Sequence, residues 1–365
     1  MSDWNPAEMI GKKPNQLSVL LYDYMITNDT WNKQRVQFGY KYFKGTPLMT
    51  TFGDSAYINV KNSLNSFLPR KVDDLSCERI INFQLEKLIQ NPENHDKIEF
   101  KIAETSYKFE SLKYLKNKYK NVLDRGEIEI WDSELQKIFY SSDKIHNANS
   151  KIILDGYKTI SRKNNVDKNF LKYVKDNLAL PFAHHARIAF MYITQLNQLV
   201  DLGVIEETDS KKLKNNIDSI STQMRRDAYH VKTNKKSFNS FIRKYGHIRP
   251  GNYDIESKNL RRSIDEIVVP MIDNSTKEKT DERLKSVELK IDLYLKKIDF
   301  KIDGERWVNN FRKSIASREN SKFYYSKGLD IILNEFENNE ILKNTFIDKY
   351  RYNQNIYKQF GMEKY

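Results

Sequence analysis

Residues 182–203 read Phe182-Ala183-His184-His185-Ala186-Arg187-Ile188-Ala189-Phe190-Met191-Tyr192-Ile193-Thr194-Gln195-Leu196-Asn197-Gln198-Leu199-Val200-Asp201-Leu202-Gly203. Phe182, Ala186, Ala189, Phe190, Ile193, Leu196 and Val200 recur at three- and four-residue steps, which lays one apolar stripe along an α-helix. A half-buried strand would alternate at every second residue instead. Gly203 then supplies a residue that ends helices readily. The segment sets the expected fold class, mainly α, and the flanking sequence extends it in both directions.

Downstream, Thr208-Asp209-Ser210 offers caps for a helix running to about Val231. Another helix over 235–245 leads into a Gly- and Pro-containing turn. A polar loop over 273–281 separates it from two long helices at about 282–298 and 303–337. Upstream, Leu75, Ile80, Ile81, Leu85, Leu88 and Ile89 form an apolar helical face that closes at Asn91-Pro92. Further helices are expected near 107–123, 142–161 and 167–178.

The first seventy residues differ. Pro6, Pro14, Pro47 and Pro69 fall there with Gly11, Gly39, Gly45 and Gly53. Residues 48–52 and 56–60 read as two short strands around a turn at Gly53-Asp54, and 17–26 and 30–40 as helical pieces. The expected layout is therefore a small α/β segment over 16–72, with short strands, followed by a helical domain over 73–365.

Composition narrows the class. The chain of 365 residues has 39% hydrophobic residues and 41 Phe and Tyr side chains (19 + 22), enough to build a core. Its single cysteine, Cys77, excludes an internal disulfide framework and a Cys-rich metal site, and implies a reducing compartment. Asp3 and Glu8 open the chain without an apolar run, so no signal peptide is expected. No apolar run reaches the roughly 18 residues of a membrane span. A cytoplasmic protein without membrane association is the expectation. The net charge is 62 − 49 = +13. Such a charge suits anionic partners, but the lysines are scattered and interleaved with Glu and Asp, as solvated helix faces are.

The sharpest candidate site is Tyr245-Gly246-His247-Ile248-Arg249-Pro250-Gly251-Asn252-Tyr253-Asp254-Ile255. It gathers two of twelve glycines and one of eight prolines. Glycine tolerates φ > 0 and proline fixes φ, so the turn is expected to hold its side chains in one geometry. Arg249 has the fork geometry for phosphate or carboxylate, with His247 and Tyr253 donating beside it. The competing reading is a structural corner in which Arg249 pairs with Asp254. Arg318, Glu319 and Lys322 place a second charged cluster on a long helix, where it forms either a cationic wall or an exposed intrahelical network. Arg187 is a lone charge on an apolar helix and needs a partner if buried. Familiar catalytic motifs are absent. Asn252 stands where a phosphate-binding loop needs Lys, no Gly-x-Gly-x-x-Gly occurs, and no two histidines have the helical i,i+4 spacing of a zinc site.

Taken together, several strings resemble the central region of phosphoenolpyruvate-synthase-like and rifampin-phosphotransferase-like dikinases. They are Asp3-Trp4-Asn5-Pro6-Ala7-Glu8-Met9-Ile10-Gly11, Tyr57-Ile58-Asn59-Val60-Lys61 with Asn65-Ser66-Phe67-Leu68-Pro69, Pro181-Phe182-Ala183 with Ala186-Arg187, the turn at 245–255, and Arg318-Glu319 with Lys322-Phe323. They keep the family's order over nearly the whole chain. The resemblance implies a three-part machine that uses ATP and Mg²⁺, in which an ATP-grasp domain phosphorylates a histidine on a swivelling domain. The central region binds an anionic small-molecule acceptor. His247, Arg249, Tyr253, Asp254, Arg187, Arg318, Glu319, Lys322, Asn59 and Lys61 are then its substrate-binding candidates. Residues 1–15 resemble the closing edge of the ATP-grasp domain, with Asp3, Asn5 and Glu8 as weak cofactor-binding candidates.

The departures are specific. No histidine here follows Ser or Thr, so the phosphohistidine is missing and no catalytic residue is assigned. Asn59 and Lys61 stand where the family more often has Asp and Arg. The expected function is a substrate-binding module of such a phosphotransferase, without cofactor or metal of its own and dependent on separate ATP-grasp and phosphohistidine subunits. The alternatives are a truncated, non-catalytic remnant and, less favoured, a basic helical nucleic-acid-binding protein.

Overall fold

A computed structural model describes the chain except for residues 3, 4, 43–46, 53, 163–165, 216, 277–283 and 363–365, with the side chains of 168 and 352–362 also outside the described set. The fold is mainly α, with one two-stranded antiparallel sheet near the N-terminus. The expected turn residue Gly53, most of the expected loop at 273–281, and Asp3 lie outside the described residues.

The N-terminal part holds α1 (Pro6–Ile10), α2 (Gln16–Tyr22) and α3 (Thr30–Phe38), then β1 (Met49–Phe52), β2 (Ser55–Ile58) and α4 (Val60–Asn65). In the hairpin Met49 pairs with Ile58 and Phe52 with Ser55. The middle of the chain builds α5 (Asp74–Gln90), α6 (Ser111–Tyr119), α7 (Arg125–Ile160), α8 (Lys168–Val174), α9 (Leu180–Asp201), α10 (Glu207–Asn215), α11 (Ile220–Lys232) and α12 (Phe238–Tyr245). After α13 (Val269–Asp273) and α14 (Lys285–Lys297) come α15 (Gly304–Asn338) and α16 (Glu340–Met362). No helix among the described residues is long and apolar enough to cross a membrane.

Helices α7, α9 and α15 form the frame. At 36 and 35 residues, α7 and α15 each run about 50 Å at 1.5 Å per residue. Asp124 and Glu127 close a capping box at the start of α7, and Asp303 caps α15 through Arg306 N at 2.8 Å. Between the three helices lie Phe139, Tyr192, Trp307 and Phe311, all essentially buried. The Trp307 indole N–H donates to Gln195 Oε1 at 2.7 Å, so the polar atom of this large ring is satisfied inside the core. A second core joins α2, the hairpin and the Tyr253 turn to α8, the end of α7 and the C-terminal half of α15.

Two glycines let α8 and the turn after it sink onto this frame. A Cβ on Gly328 of α15 would lie 2.9 Å from Val174 Cγ1, and one on Gly156 of α7 would lie 3.0 Å from the Asn177 carbonyl oxygen. Two of the four single-turn π-helices among the described residues, Asp23–Thr27 and Lys175–Ala179, follow α2 and α8 directly. The second runs straight into Pro181, whose ring cannot donate to the turn before it.

Helix α9 forms where its pattern places it, and Gly203 follows its end in the left-handed region at φ 68°. Its buried face is turned from the expected stripe: His185, Ile188, Met191, Tyr192, Gln195 and Leu199 are buried, whereas of the expected residues only Ala189 and Leu196 are. Elsewhere the structure corrects the reading. The helix expected over 142–161 begins at Arg125, because Ile128, Trp131, Leu135 and Ile138 continue the stripe upstream. The single helix expected from Thr208 to Val231 is two, α10 and α11. Ser219 and Thr222 build a new capping box, and Asn320 Oδ1 accepts from Ile220 N at 2.8 Å. On α5 the buried stripe is Cys77, Ile80, Ile81 and Gln84, which leaves Leu75 and Ile89 exposed at 73% and 78%.

Candidate functional site

The turn after α12 is fixed from several sides. Its ends are tied to each other, since Leu260 N donates to Ile248 O at 2.9 Å and Arg261 N to Gly246 O at 3.0 Å. Gly251 N donates to Ser257 Oγ at 3.0 Å. Neither glycine takes a positive φ, contrary to the conformational reason expected for them. They are small because the chain passes close. A Cβ on Gly251 would meet Asp254 Cβ at 3.1 Å and Ser257 Cβ at 3.2 Å.

Arg249 points inward onto α15. Its Nε donates to Asp330 Oδ1 at 3.0 Å, Nη2 to Asn334 Oδ1 at 2.8 Å and Nη1 to Ser257 O at 2.7 Å. The partner of the corner reading, Asp254, is not the one used. Its carboxylate accepts from Asn15 Nδ2 at 2.8 Å and from Glu256 N at 3.1 Å. His247 is 2% exposed. Its Nε2 donates to the Phe323 carbonyl at 3.2 Å, with the ring edge-on to the Phe323 side chain. Burial lowers its pKa to about 4, so the imidazole is neutral at physiological pH.

Tyr253 carries the turn's contact with the N-terminal segment. Its carbonyl accepts from Ser18 Oγ at 2.9 Å, its ring meets Tyr22 edge-on at 5.2 Å, and its hydroxyl shares a 3.0 Å hydrogen bond with Tyr325. Tyr22 in turn donates to Asn5 Oδ1, beside the start of α1. Phe182 stacks on Tyr325 at 5.8 Å. The Phe182, Tyr253 and Tyr325 rings, with Met9, Asn252, Lys322, Ser326 and Leu329, line a narrow cleft of about 10 Å³, about the space one water occupies.

Four of the sequence strings thus meet at one place: α1 through Met9, the start of α9 through Phe182, the turn through Asn252 and Tyr253, and α15 through Lys322. Lys322 is exposed at the mouth, and no carboxylate among the described residues lies within 4.0 Å of its ammonium. Burial raises the Tyr22, Tyr253 and Tyr325 hydroxyls well above the ordinary phenol value. They stay protonated and serve as hydrogen-bond groups, not bases. What the cleft offers chemically is an ammonium and an amide in front of aromatic walls, which can orient and neutralise an anion.

The remaining candidates lie away from this cleft. Arg187, 3% exposed, ion-pairs with Glu99 and donates to Thr105 Oγ1 at 3.0 Å. Sequence reading missed the third member of that cluster, Arg35, which donates to Ser66 Oγ and lies 4.0 Å over the Phe67 ring. Burial pulls the Arg35 guanidinium down to about 10, opposed by Glu99 and reinforced by Arg187. The i,i+4 spacing of Trp31 and Arg35, which becomes a cation–π contact at 5.5 Å, was the available signal. Arg318 lies 5.2 Å over the Phe190 ring and 3.7 Å from Glu319, whose carboxylate also accepts from Ser221. Asn59 caps α4 by accepting from Asn62 N at 3.1 Å, and Lys61 is exposed on that helix.

Of the weak cofactor candidates, Asn5 accepts from Tyr22 and Glu8 is the one described carboxylate of its set, since Asp3 lies outside the described residues. These residues do not by themselves assemble a Mg²⁺–nucleotide site. Among the described residues no three His, Cys, Asp or Glu side chains gather to hold a metal ion. Set against family models, curated proteins and solved structures, the chain matches none of them.

Proposed function

We propose that the chain is the substrate-binding module of a phosphoenolpyruvate-synthase-like phosphotransferase, acting with ATP-grasp and phosphohistidine subunits carried on other chains. The observation that supports this reading most is the meeting of Met9, Phe182, Asn252, Tyr253 and Lys322 around one cleft, from strings far apart in sequence. Phosphoryl transfer asks its protein chiefly for positioning and charge neutralisation. Here Lys322 and Asn252 face the acceptor's anionic group. Arg249 acts one layer back, bolting the turn to α15 so that Tyr253 keeps its place between Tyr22 and Tyr325.

Because the cleft is narrow, an acceptor enters only if Met9 and Lys322 swing aside, and both are long unbranched side chains. The test is reconstitution. The purified chain is mixed with an ATP-grasp subunit and a phosphohistidine subunit, and labelled phosphoryl transfer from ATP or phosphoenolpyruvate is followed. Transfer that requires this chain and falls about tenfold in Lys322→Gln supports the reading. Transfer indifferent to this chain, or unchanged in Lys322→Gln, overturns it.

A further inference from the structure

A second cavity, of about 340 Å³, opens where the π-helical turns Asp23–Thr27 and Lys175–Ala179 face the C-terminal helix α16. It shares no lining residue with the Lys322 cleft. Single π-turns are rare and concentrate at functional sites, and two of the four among the described residues border this groove through Tyr24 and Lys175.

Lys175 is the unusual group. It is only 9% exposed, and its ammonium sits 4.8 Å above the Tyr24 ring. Among the described residues no carboxylate oxygen comes within 4.0 Å of it, because the two aspartates of the groove are taken. Asp29 pairs with Lys33 at 2.6 Å, and Asp176 pairs with Lys172. A buried ammonium without a close counter-charge is costly to retain for packing alone. Burial lowers its pKa, opposed at longer range by Asp29, Asp176 and Asp23.

The rest of the groove divides by chemistry. Tyr24, Phe346 and Tyr350 make a continuous aromatic wall, with ring centres 4.6 to 5.9 Å apart. At the open side stands Lys349, 5.4 Å from the Tyr350 ring and also without a described carboxylate in reach. The lining carries four lysines against two aspartates, 4 − 2 = +2. Its volume lies at the lower end of the range for small-molecule sites, about 300–1,000 Å³.

We propose that this groove binds a small phosphate monoester with an aromatic body, its phosphate held by Lys175 and Lys349 and its ring against Tyr24 and Phe346. A phosphate monoester near pH 7 carries about −1.5 to −2, which matches the surplus charge. The inference stands independently of the Lys322 cleft.

The probe is phenyl phosphate, titrated into the purified chain by calorimetry beside inorganic phosphate and phenol. Saturable binding is expected for phenyl phosphate, at least tenfold tighter than either fragment and weakened at least tenfold in Lys175→Met. Equal affinity for phenol, equal affinity for inorganic phosphate, unchanged binding in the variant, or no saturable binding overturns the proposal. Methionine keeps the length of the stem, so the variant should melt no lower than the parent. Should it fail to fold, the wild-type chain gives a second reading. Phenyl phosphate should slow acetylation of Lys175 by acetic anhydride at least fivefold while leaving exposed Lys120 unaffected, and equal slowing of both residues, or of neither, overturns the proposal.

Discussion

Arg249 Nε donates to Asp330 Oδ1 at 3.0 Å, and both side chains are about 2% exposed. The pair fastens the turn to the C-terminal half of α15, and Asn259 Nδ2 adds a 2.9 Å hydrogen bond to the same carboxylate oxygen. A buried ion pair is weak evidence for net stability, but removing one partner strands a charge. Asp330→Asn should therefore cost about 3–5 kcal/mol, and Arg249→Ala should lower the thermal midpoint by a comparable amount. Chemical denaturation of both variants measures this. A stable Arg249→Ala protein that has lost anion binding would instead make Arg249 a direct ligand.

The cluster at Glu99 extends the same logic. Arg187 and Arg35 are both 3% exposed and share this one carboxylate as their nearby counter-charge. Glu99→Gln leaves two buried guanidinium groups facing a neutral amide. The expected loss is again about 3–5 kcal/mol, larger than that from Glu104→Gln, whose two lysine partners can turn to solvent. Equal urea midpoints for the two variants would contradict this ordering.

Acid should loosen the fold before its carboxylates titrate. Burial holds His184 at about 4, His185 at about 3 and His247 at about 4. In the unfolded chain each returns to about 6.5. Between those values the unfolded state binds more protons, so stability is full above about pH 6.5 and falls as pH drops toward 4. Each histidine contributes up to about 1.4 kcal/mol per pH unit in that window. Below pH 4.5 Glu104, held near 2 by Lys108 and Lys118 against the cost of burial, continues the loss. Urea midpoints at pH 7.5, 6 and 5 should decline steadily, and a flat profile across that range would refute the assignment.

Gly328 tests the packing of the layer beneath the second groove. With a Cβ placed 2.9 Å from Val174 Cγ1 and 3.1 Å from Leu178 Cδ1, Gly328→Ala overfills the contact. Val174 is β-branched and cannot swing away, so the cost of overpacking, roughly 1–3 kcal/mol, should exceed the helix-propensity gain of alanine, about 1 kcal/mol, and the melting temperature should fall. Gly156→Ala, beside Asn177, should behave alike. A melting temperature raised in both variants would show that α8 is free to move away.

Much of the fold was legible because helical periodicity is local. Helix α9, the glycine after its end and the hairpin could all be read from neighbours in the chain. What escaped was set at long range. The break between α10 and α11 depends on Asn320, 100 residues after Ile220. The partner of Arg249 lies 81 residues away, and nothing in the turn itself favours Asp330 over Asp254. The glycines of the turn were legible as necessary, but for the wrong reason, since crowding and not handedness demands them. At the candidate cleft the turn and the α15 cluster could be named, whereas nothing in the sequence singled out Tyr22 or Tyr325, whose contacts with Tyr253 emerged only from the assembled fold.

Reconstituted phosphoryl transfer puts the Lys322 cleft to its sharpest test: labelled transfer from ATP or phosphoenolpyruvate, with separate ATP-grasp and phosphohistidine subunits, is followed with the parent chain, Lys322→Gln and Lys175→Met. Transfer should require the chain, fall about tenfold in Lys322→Gln and be unchanged in Lys175→Met, with all three proteins melting together. Transfer that proceeds without the chain, or runs as fast with Lys322→Gln as with the parent, would contradict the assignment of the Lys322 cleft as the acceptor site.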